Sequence, residues 1–297
     1  MSDPAAPSEA RQAARQRARE LREQHRKQDR RRRFIVTGSI VLGTVLVLAI
    51  VATVLVTLSR PTARGPLNMV SDGITIGAGL KAEPTVALGP GEQPVAAKKN
   101  PAGVLDVKVY VDYLCQNCGS FFQKDGAQLR AFVDSGAATV EIHPVAVLLG
   151  KSNGTQYSLR AANAAACVAE FSPDRFYDFN LAMFADQPKE GTDGLTDAQI
   201  LDRARTAKVT SLSRIKDCVS DQRFRSWVQS ATARALSGPL PGLTQPANIT
   251  QTPTILVDGR AFDYAPNLTP ADFTAFIQQA AGDEASSTPT PTPTPTP

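Results

Sequence analysis

The chain has 297 residues, of which 42% are hydrophobic, so its length allows one or two ordinary domains. Eleven of its 32 cations lie in residues 1–33 beside five acids, and the rest of the chain holds 21 cations and 23 acids. The net charge of +4 therefore comes from the tail, which argues against nucleic-acid binding by the folded part.

The basic tail is followed at once by a long apolar run. Residues 34–58 contain neither a charged residue nor a proline. As a helix they would span roughly 38 Å, enough to cross a hydrocarbon core of about 30 Å. A cleaved signal peptide is the competing interpretation, but its apolar region would be unusually long and no A-x-A-type site follows. The sequence thus predicts a membrane protein with one transmembrane helix at 34–58, a basic cytoplasmic tail at 1–33 and everything after it outside the cytoplasm.

Both ends of the exported part have the composition of unstructured chain. Residues 59–100 are rich in glycine and proline around a short β-like run, Gly73–Gly77, which predicts an extracytoplasmic linker with a candidate edge strand or hairpin. Residues 284–297 end in a Thr-Pro repeat that cannot bury apolar area, which predicts a disordered tail. The folded domain is therefore expected at 101–283.

A strand, two cysteines and a helix come in succession near the start of this domain. Half of residues 105–112 are β-branched or aromatic, which predicts a buried strand, and this strand leads into Cys115-Gln-Asn-Cys118. Apolar residues then recur at helical spacing up to a glycine: Phe121, Phe122, Leu129, Phe132, Val133 and Gly136. Cys115 is accordingly expected where the strand gives way to the helix.

Further elements follow in order. Residues 138–147 predict a second strand, and residues from about 155 to 240 predict helices, one of them begun by a capping box of Thr196 and Gln199. Thr252-Pro253 precedes a strand that ends at Asp258-Gly259, a dipeptide typical of hairpins. Thr269 is expected to cap the last helix.

Four cysteines lie outside the predicted cytoplasmic tail and allow three pairings. Pairing Cys115 with Cys118 is the local choice and leaves Cys167 and Cys218 on separate helices. That second bond would close a loop of 52 residues and stabilise the fold by about 4 kcal/mol. A bond between Cys115 and Cys118 restrains little chain, so its value must be chemical: at a helix amino terminus a thiolate is favoured.

This arrangement predicts that Cys115 is the exposed, attacked sulfur and Cys118 the resolving one. Two other interpretations remain open. A C-x-x-C pair is half of many zinc sites, which Cys167, Cys218 or His143 could complete, and the pair could also form a purely structural disulfide. Because no second C-x-x-C exists and the compartment is expected to be oxidising, we predict neither a metal nor a cofactor.

The segments Tyr110–Cys118 and Gln251–Gly259 resemble the DsbA-like branch of the thioredoxin superfamily, and the resemblance covers about residues 104–280. It implies an α/β thioredoxin fold with an all-helical insertion at about 155–240. It further implies that Pro253 is cis and packs against the active-site sulfurs, with Thr252 beside it, where both help to bind substrate backbone. Cys167 and Cys218 would form a second, structural disulfide.

The sequence departs from that family at two places. Strong oxidants of the family usually carry Pro-His between the cysteines, whereas this chain has Gln116 and Asn117, which favours a milder oxidant. The frequent buried acid six residues before the first cysteine is replaced by Val109. Asp112 is near enough in sequence to be considered, but it is interpreted as polar chemistry at the end of a strand.

The resemblance implies an exported thiol–disulfide oxidoreductase that forms disulfides in secreted or envelope proteins with free cysteines. Its expected reoxidant is a quinone-linked membrane oxidase of the DsbB or vitamin K epoxide reductase type, and its tail would lie against the lipid bilayer rather than nucleic acid. Two rivals remain: a disulfide reductase or isomerase using Cys115 and Cys118, and a non-enzymatic thioredoxin-like binding module.

Overall fold

The computed structural model describes residues 64–287, with side chains through residue 282. The predicted cytoplasmic tail, the predicted membrane helix and the Thr-Pro repeat from residue 288 lie outside the described residues. Among residues 64–287, no helix combines the length and the apolar composition that crossing a membrane requires.

A six-stranded mixed sheet forms the centre of the domain. Its strands are β1 (Ile74–Gly77), β2 (Lys81–Ala82), β3 (Leu105–Val111), β4 (Ala138–Pro144), β5 (Thr254–Val257) and β6 (Arg260–Phe262). Their order across the sheet is β2-β1-β4-β3-β5-β6, with β3 and β4 parallel and every other neighbouring pair antiparallel. The parallel pair needs a crossover, which a helix provides.

Strand β3 lies in the middle of the sheet and is covered on both faces. Val107, Val109 and Val111 are fully buried on one face and belong to the main apolar core. Lys108 and Tyr110 alternate with them onto the other face, where Tyr110 stacks on His143. The three valines therefore alternate in sequence with residues of the second face, and both sets are covered because β3 is buried on both sides.

The segment predicted as a linker is in large part built into the domain. Strand β1 pairs with β4, and β2 pairs with β1 at the edge of the sheet, so the candidate hairpin is present. Met69 and Leu88 are also buried, and Arg234 forms an ion pair with Asp72. These apolar residues are irregularly spaced, so neither the period of 2 typical of a strand nor the period of 3.6 typical of a helix could predict their burial.

Helix α1 (Gln116–Asp134) connects β3 to β4, with Cys115 directly before it and Cys118 in its first turn. Phe121 packs edge-on against Phe273, and Phe122 stacks on Phe184, so aromatic pairs join α1 to two other helices. Strand β4, predicted to reach residue 147, ends at Pro144, which lies opposite Val111, the last residue of its partner β3.

Five helices lie between β4 and β5, which confirms the helical insertion. They are α2 (Tyr157–Phe171), α3 (Phe176–Ala185), α4 (Asp197–Thr206), α5 (Leu212–Ser220) and α6 (Arg225–Ser237). The capping box at the start of α4 is present as predicted, with Thr196 accepting from the Gln199 N–H. A disulfide between Cys167 and Cys218 joins α2 to α5.

The final helix, α7 (Pro270–Ser287), continues past the predicted domain end at residue 283. Thr269 directly precedes this helix, and its N–H and hydroxyl both donate to the Asp272 carboxylate in the first turn, at 2.8 and 2.7 Å. The prediction of a disordered tail from residue 284 was wrong for residues 284–287. A residue that directly precedes a proline disfavours helical backbone. The first proline of the repeat is Pro289, so this restriction falls on residue 288 and permits the helix to reach Ser287.

Candidate active site

The two cysteines begin helix α1 directly beyond the carboxyl end of β3. Cys115 is the N-cap residue with extended backbone, and Cys118 lies one turn into the helix. The Cys115 N–H donates to the Asp112 carbonyl at 3.0 Å, which forms a tight turn between strand and helix. This turn places the Cys115 sulfur next to the unpaired N–H groups of the first helical turn.

Cys115 is less exposed than the sequence suggested. It is 7% exposed, and Cys118 is fully buried, so the predicted exposed sulfur is only the more accessible of the two. The reason is that a second segment of the chain lies against it. Both cysteines are free thiols in the structure.

That second segment is the turn that carries Thr252 and Pro253. Strand β5 runs antiparallel to β3, and Tyr110 faces Thr254 in their register. The residues before β5 therefore lie beside the residues after β3. The Thr252–Pro253 peptide bond is cis, and the Cys115 thiol donates to the Thr252 carbonyl oxygen at an Sγ–O distance of 3.1 Å.

The environment separates the acidities of the two thiols. A hydrogen bond from Cys118, followed by hydrogen bonds from the Thr252 side chain and the N–H groups of Cys118 and Asn117, outweighs burial and lowers the pKa of Cys115 to about 6. Burial and the adjacent Cys115 raise the pKa of Cys118 well above its ordinary value. At neutral pH the structure therefore favours a thiolate on Cys115 and a thiol on Cys118.

Asp112 is not the strand-end polar residue that the sequence suggested. It is fully buried, and its carboxylate accepts hydrogen bonds from the Leu114 N–H, the Leu148 N–H and the Ser158 hydroxyl at 2.8–2.9 Å. Burial nevertheless raises the pKa of Asp112, and the carboxylate contributes to the raised pKa of Cys118. One side chain thus connects the cysteine turn, the chain after β4 and helix α2.

The two residues between the cysteines are exposed, and one of them contacts the helical insertion. Gln116 donates to the Pro188 carbonyl at 3.0 Å, and Gln187 reaches back to the cysteine turn. Sequence analysis missed both contacts. A glutamine about 70 residues from the cysteines carries no local signal of where its amide binds.

The remaining cysteines are occupied elsewhere. Cys167 and Cys218 are bonded to each other and fully buried, so they are not available to complete a zinc site with Cys115 and Cys118. His143 stacks on Tyr110 and has Glu141 at 3.6 Å. Within the part of the chain that the structure describes, no cluster of three or more histidine, cysteine or acidic side chains has the arrangement of a metal site.

Comparison with known proteins gives a family match and several structural matches. A family model described as thioredoxin matches residues 100–279. Oxidised DsbA from Mycobacterium tuberculosis is 29% identical, with a TM-score of 0.52 over 73% of this chain and all of that chain. Its reduced form is 27% identical, with a TM-score of 0.52 over 73% of this chain and 98% of that one. Oxidised BdbD from Bacillus subtilis is 20% identical, with a TM-score of 0.51 over 75% of this chain and all of that one, which supports the fold alone. A search of curated proteins found no match.

Proposed function

Because this chain belongs to the thioredoxin family, whose model matches residues 100–279, we propose that it forms disulfides in exported proteins by exchange at Cys115 and Cys118. It is a protein disulfide oxidoreductase, as are its structural neighbours of 27–29% identity. One observation carries the assignment of the reacting atoms. An acidic Cys115 thiol at the start of α1 faces the Thr252 carbonyl beside cis-Pro253, and the buried Cys118 thiol lies next to it.

The proposed reaction begins with the Cys115–Cys118 disulfide. A substrate thiolate attacks the Cys115 sulfur, the S–S bond breaks, and Cys118 leaves with the electron pair and takes up a proton. A second substrate thiolate then attacks the substrate sulfur of the mixed disulfide, and Cys115 leaves as a thiolate. The substrate loses two electrons and the pair gains them. The low pKa of Cys115 assists the second step, because a stable thiolate is a good leaving group.

Thr252 and Pro253 have the proposed role of binding substrate backbone beside the mixed disulfide. Thr252 is only 9% exposed, and its carbonyl already accepts from the Cys115 thiol. Cys115 donates this hydrogen bond only as a thiol, so when it is a thiolate or carries a substrate sulfur the Thr252 carbonyl is available to a substrate N–H.

We place the catalytic domain outside the cytoplasm, held by the predicted helix at 34–58. Its Cys167–Cys218 disulfide supports an oxidising compartment, since such bonds are rare in the cytosol of most cells. Reoxidation would then fall to a quinone-linked membrane oxidase of the DsbB or vitamin K epoxide reductase type. Reporter fusions after residue 33 and after residue 63 test the orientation: only the second should be exported.

The exchange itself is tested with the full chain, oxidised and mixed with a reduced dithiol peptide. We expect one peptide disulfide to form for each pair of protein thiols that appears, and Cys115→Ala to abolish the reaction. The matched control replaces Cys167 and Cys218 together by alanine, assayed below its melting temperature, and should retain the exchange. Unchanged activity in Cys115→Ala would reject the mechanism.

Measuring the reduction potential distinguishes the oxidant from its rivals. A pKa of about 6 for Cys115 lies between about 7 for thioredoxin and about 3.5 for DsbA. We therefore expect a potential between their values of about −270 and −120 mV, consistent with a mild oxidant. A value at or below that of thioredoxin favours the reductase or isomerase. A pair that releases no thiols with a mild reductant favours the binding module.

A further inference from the structure

Gln187, on the loop after α3, binds the turn that presents Cys115. Its amide nitrogen donates to the Tyr113 carbonyl at 2.9 Å and to the Cys115 carbonyl at 2.8 Å. A carboxamide has two N–H groups, and both are used on this turn. Through Gln187, the helical insertion therefore binds main-chain carbonyls on both sides of Leu114.

The Cys115 carbonyl is held from two directions. It accepts from the Gly119 N–H of the first helical turn at 3.1 Å as well as from Gln187. We propose that Gln187 is a positioning residue for Cys115, which fixes the turn so that its sulfur is in line for exchange. This inference rests on the proposed function of the cysteine pair.

The residues around Gln187 are themselves anchored. Arg203 on α4 donates to the Asp186 carbonyl at 3.2 Å and to its carboxylate at 3.0 Å. On the other side, the Pro188 carbonyl accepts from Gln116. Gln187 is half-buried between these two anchors, so little conformational freedom remains to be lost when its amide binds the turn.

Gly119 supplies an independent observation. A Cβ atom at this position would lie 2.0 Å from the Gln187 side-chain oxygen, a distance that two such atoms cannot adopt. Gly119 has an ordinary helical position in α1, where alanine is the more favourable residue. The glycine therefore makes room for the Gln187 side chain rather than serving the helix.

The expected benefit is geometric. Thiol–disulfide exchange passes through three sulfurs in a line, and the Cys115 sulfur must hold its place as the substrate enters and Cys118 leaves. Small misplacements of a reacting group are costly, up to about a hundredfold for 1 Å. We expect loss of the Gln187 tether to slow the exchange step about tenfold.

The test compares Gln187→Met, which keeps the size of the side chain without its N–H donors, with the matched control Gln123→Met. Gln123 also donates its amide to a backbone carbonyl, that of Phe184 at the end of α3, but does not touch the cysteine turn. In the oxidised full chain mixed with a dithiol peptide, Gln187→Met should lower the saturating rate constant about tenfold and leave the half-saturating peptide concentration unchanged. Gln123→Met should change neither.

Gly119→Ala should reproduce the effect by pushing the Gln187 amide away. Adding Gln187→Met to it should cost nothing more, because both changes remove one interaction. A Gln187→Met rate within twofold of the wild type overturns the inference, as does a loss expressed only in the half-saturating concentration or shared equally by Gln123→Met.

Failure of the proposed function would give a different result in the same experiment. If the wild type does not oxidise the peptide at all, the function is rejected, and the tether is then tested by the attack of reduced Cys115 on a small aromatic disulfide. Gln187→Met should slow that attack about tenfold as well. Equal rates for wild type and variant would reject the tether separately.

Discussion

The acidity of Cys115 should depend on a hydrogen-bond donor at position 118. The Cys118 thiol is the largest contributor to the lowered pKa of Cys115, ahead of Thr252 and the backbone N–H groups of the first helical turn. Replacing Cys118 by alanine removes that donor. Replacing it by serine keeps an O–H donor in the same place and is the matched control.

The size of the effect follows from the pKa. With a pKa of about 6, Cys115 is about 90% thiolate at pH 7 and about 10% at pH 5, against a few per cent at pH 7 for an ordinary cysteine. Cys118→Ala should move the midpoint upward, toward the ordinary value, while the remaining N–H donors keep it from reaching that value. Cys118→Ser should stay near the wild type.

The assay is the rate of alkylation by iodoacetamide from pH 4 to 10. Because Cys167 and Cys218 are bonded to each other, Cys115 is the only thiol left in either variant. The rate should follow the thiolate fraction, with its midpoint near 6 for Cys118→Ser and clearly higher for Cys118→Ala. Coincident midpoints in the two variants, or a midpoint near 9 in Cys118→Ser, would refute the reasoning.

Three further predictions concern the framework around the pair. Burial opposes the Glu141 charge, but His143 and Lys108 hold the pKa of that carboxyl well below its usual range, so Glu141→Gln should leave Lys108 with only Asp106 as an ion-pair partner and destabilise the fold by about 1–3 kcal/mol at pH 7 in urea unfolding. Since the folded-state pKa is the lower one, this contribution is complete above about pH 4.3 and is lost progressively as the pH falls from there toward the folded-state pKa. The loss should therefore be smaller at pH 3 than at pH 7, and equal losses would contradict the assignment. Replacing both Cys167 and Cys218 by alanine opens a loop with a separation of 51 residues, so calorimetry should show a melting temperature lower by roughly 10 °C, from about 4 kcal/mol; an unchanged melting temperature would exclude a stabilising role. Asp112→Asn removes a charge beside Cys118 and should lower the raised pKa of that thiol, seen as faster Cys118 alkylation at pH 9 in a Cys115→Ala background; a slower reaction would contradict it.

The order of strand, cysteine pair and helix could be predicted because its signals are local. Valines at period 2 mark β3, and apolar residues at helical spacing mark α1. The turn beside Cys115 was foreseen through a family resemblance, since no local pattern states that Thr252–Pro253 is cis. Register then explains its position, because β5 pairs with β3.

What the sequence concealed depends on tertiary packing. Asp112 looks like a polar residue at a strand end, but the docking of α2 and of the chain after β4 buries it and supplies two of its three donors, while the third is the Leu114 N–H of the cysteine turn. Gln187 meets the cysteine turn only because the insertion folds back onto α1. Contacts between residues far apart in the chain leave no periodicity, so neither could be predicted from local pattern.

The central claim is that Cys115 exchanges disulfides with protein substrates, and trapping the intermediate tests it most directly. In Cys118→Ala the Cys115 thiolate can still attack a substrate disulfide, the reverse of the exchange proposed above, and one substrate sulfur leaves as a thiolate. No Cys118 thiol is then present to release the substrate from the mixed disulfide at Cys115. We predict that Cys118→Ala accumulates reductant-sensitive adducts attached at Cys115, and that Cys118→Ala combined with Cys115→Ala forms none. Adducts that persist in the double variant, or their absence from Cys118→Ala, would contradict the account.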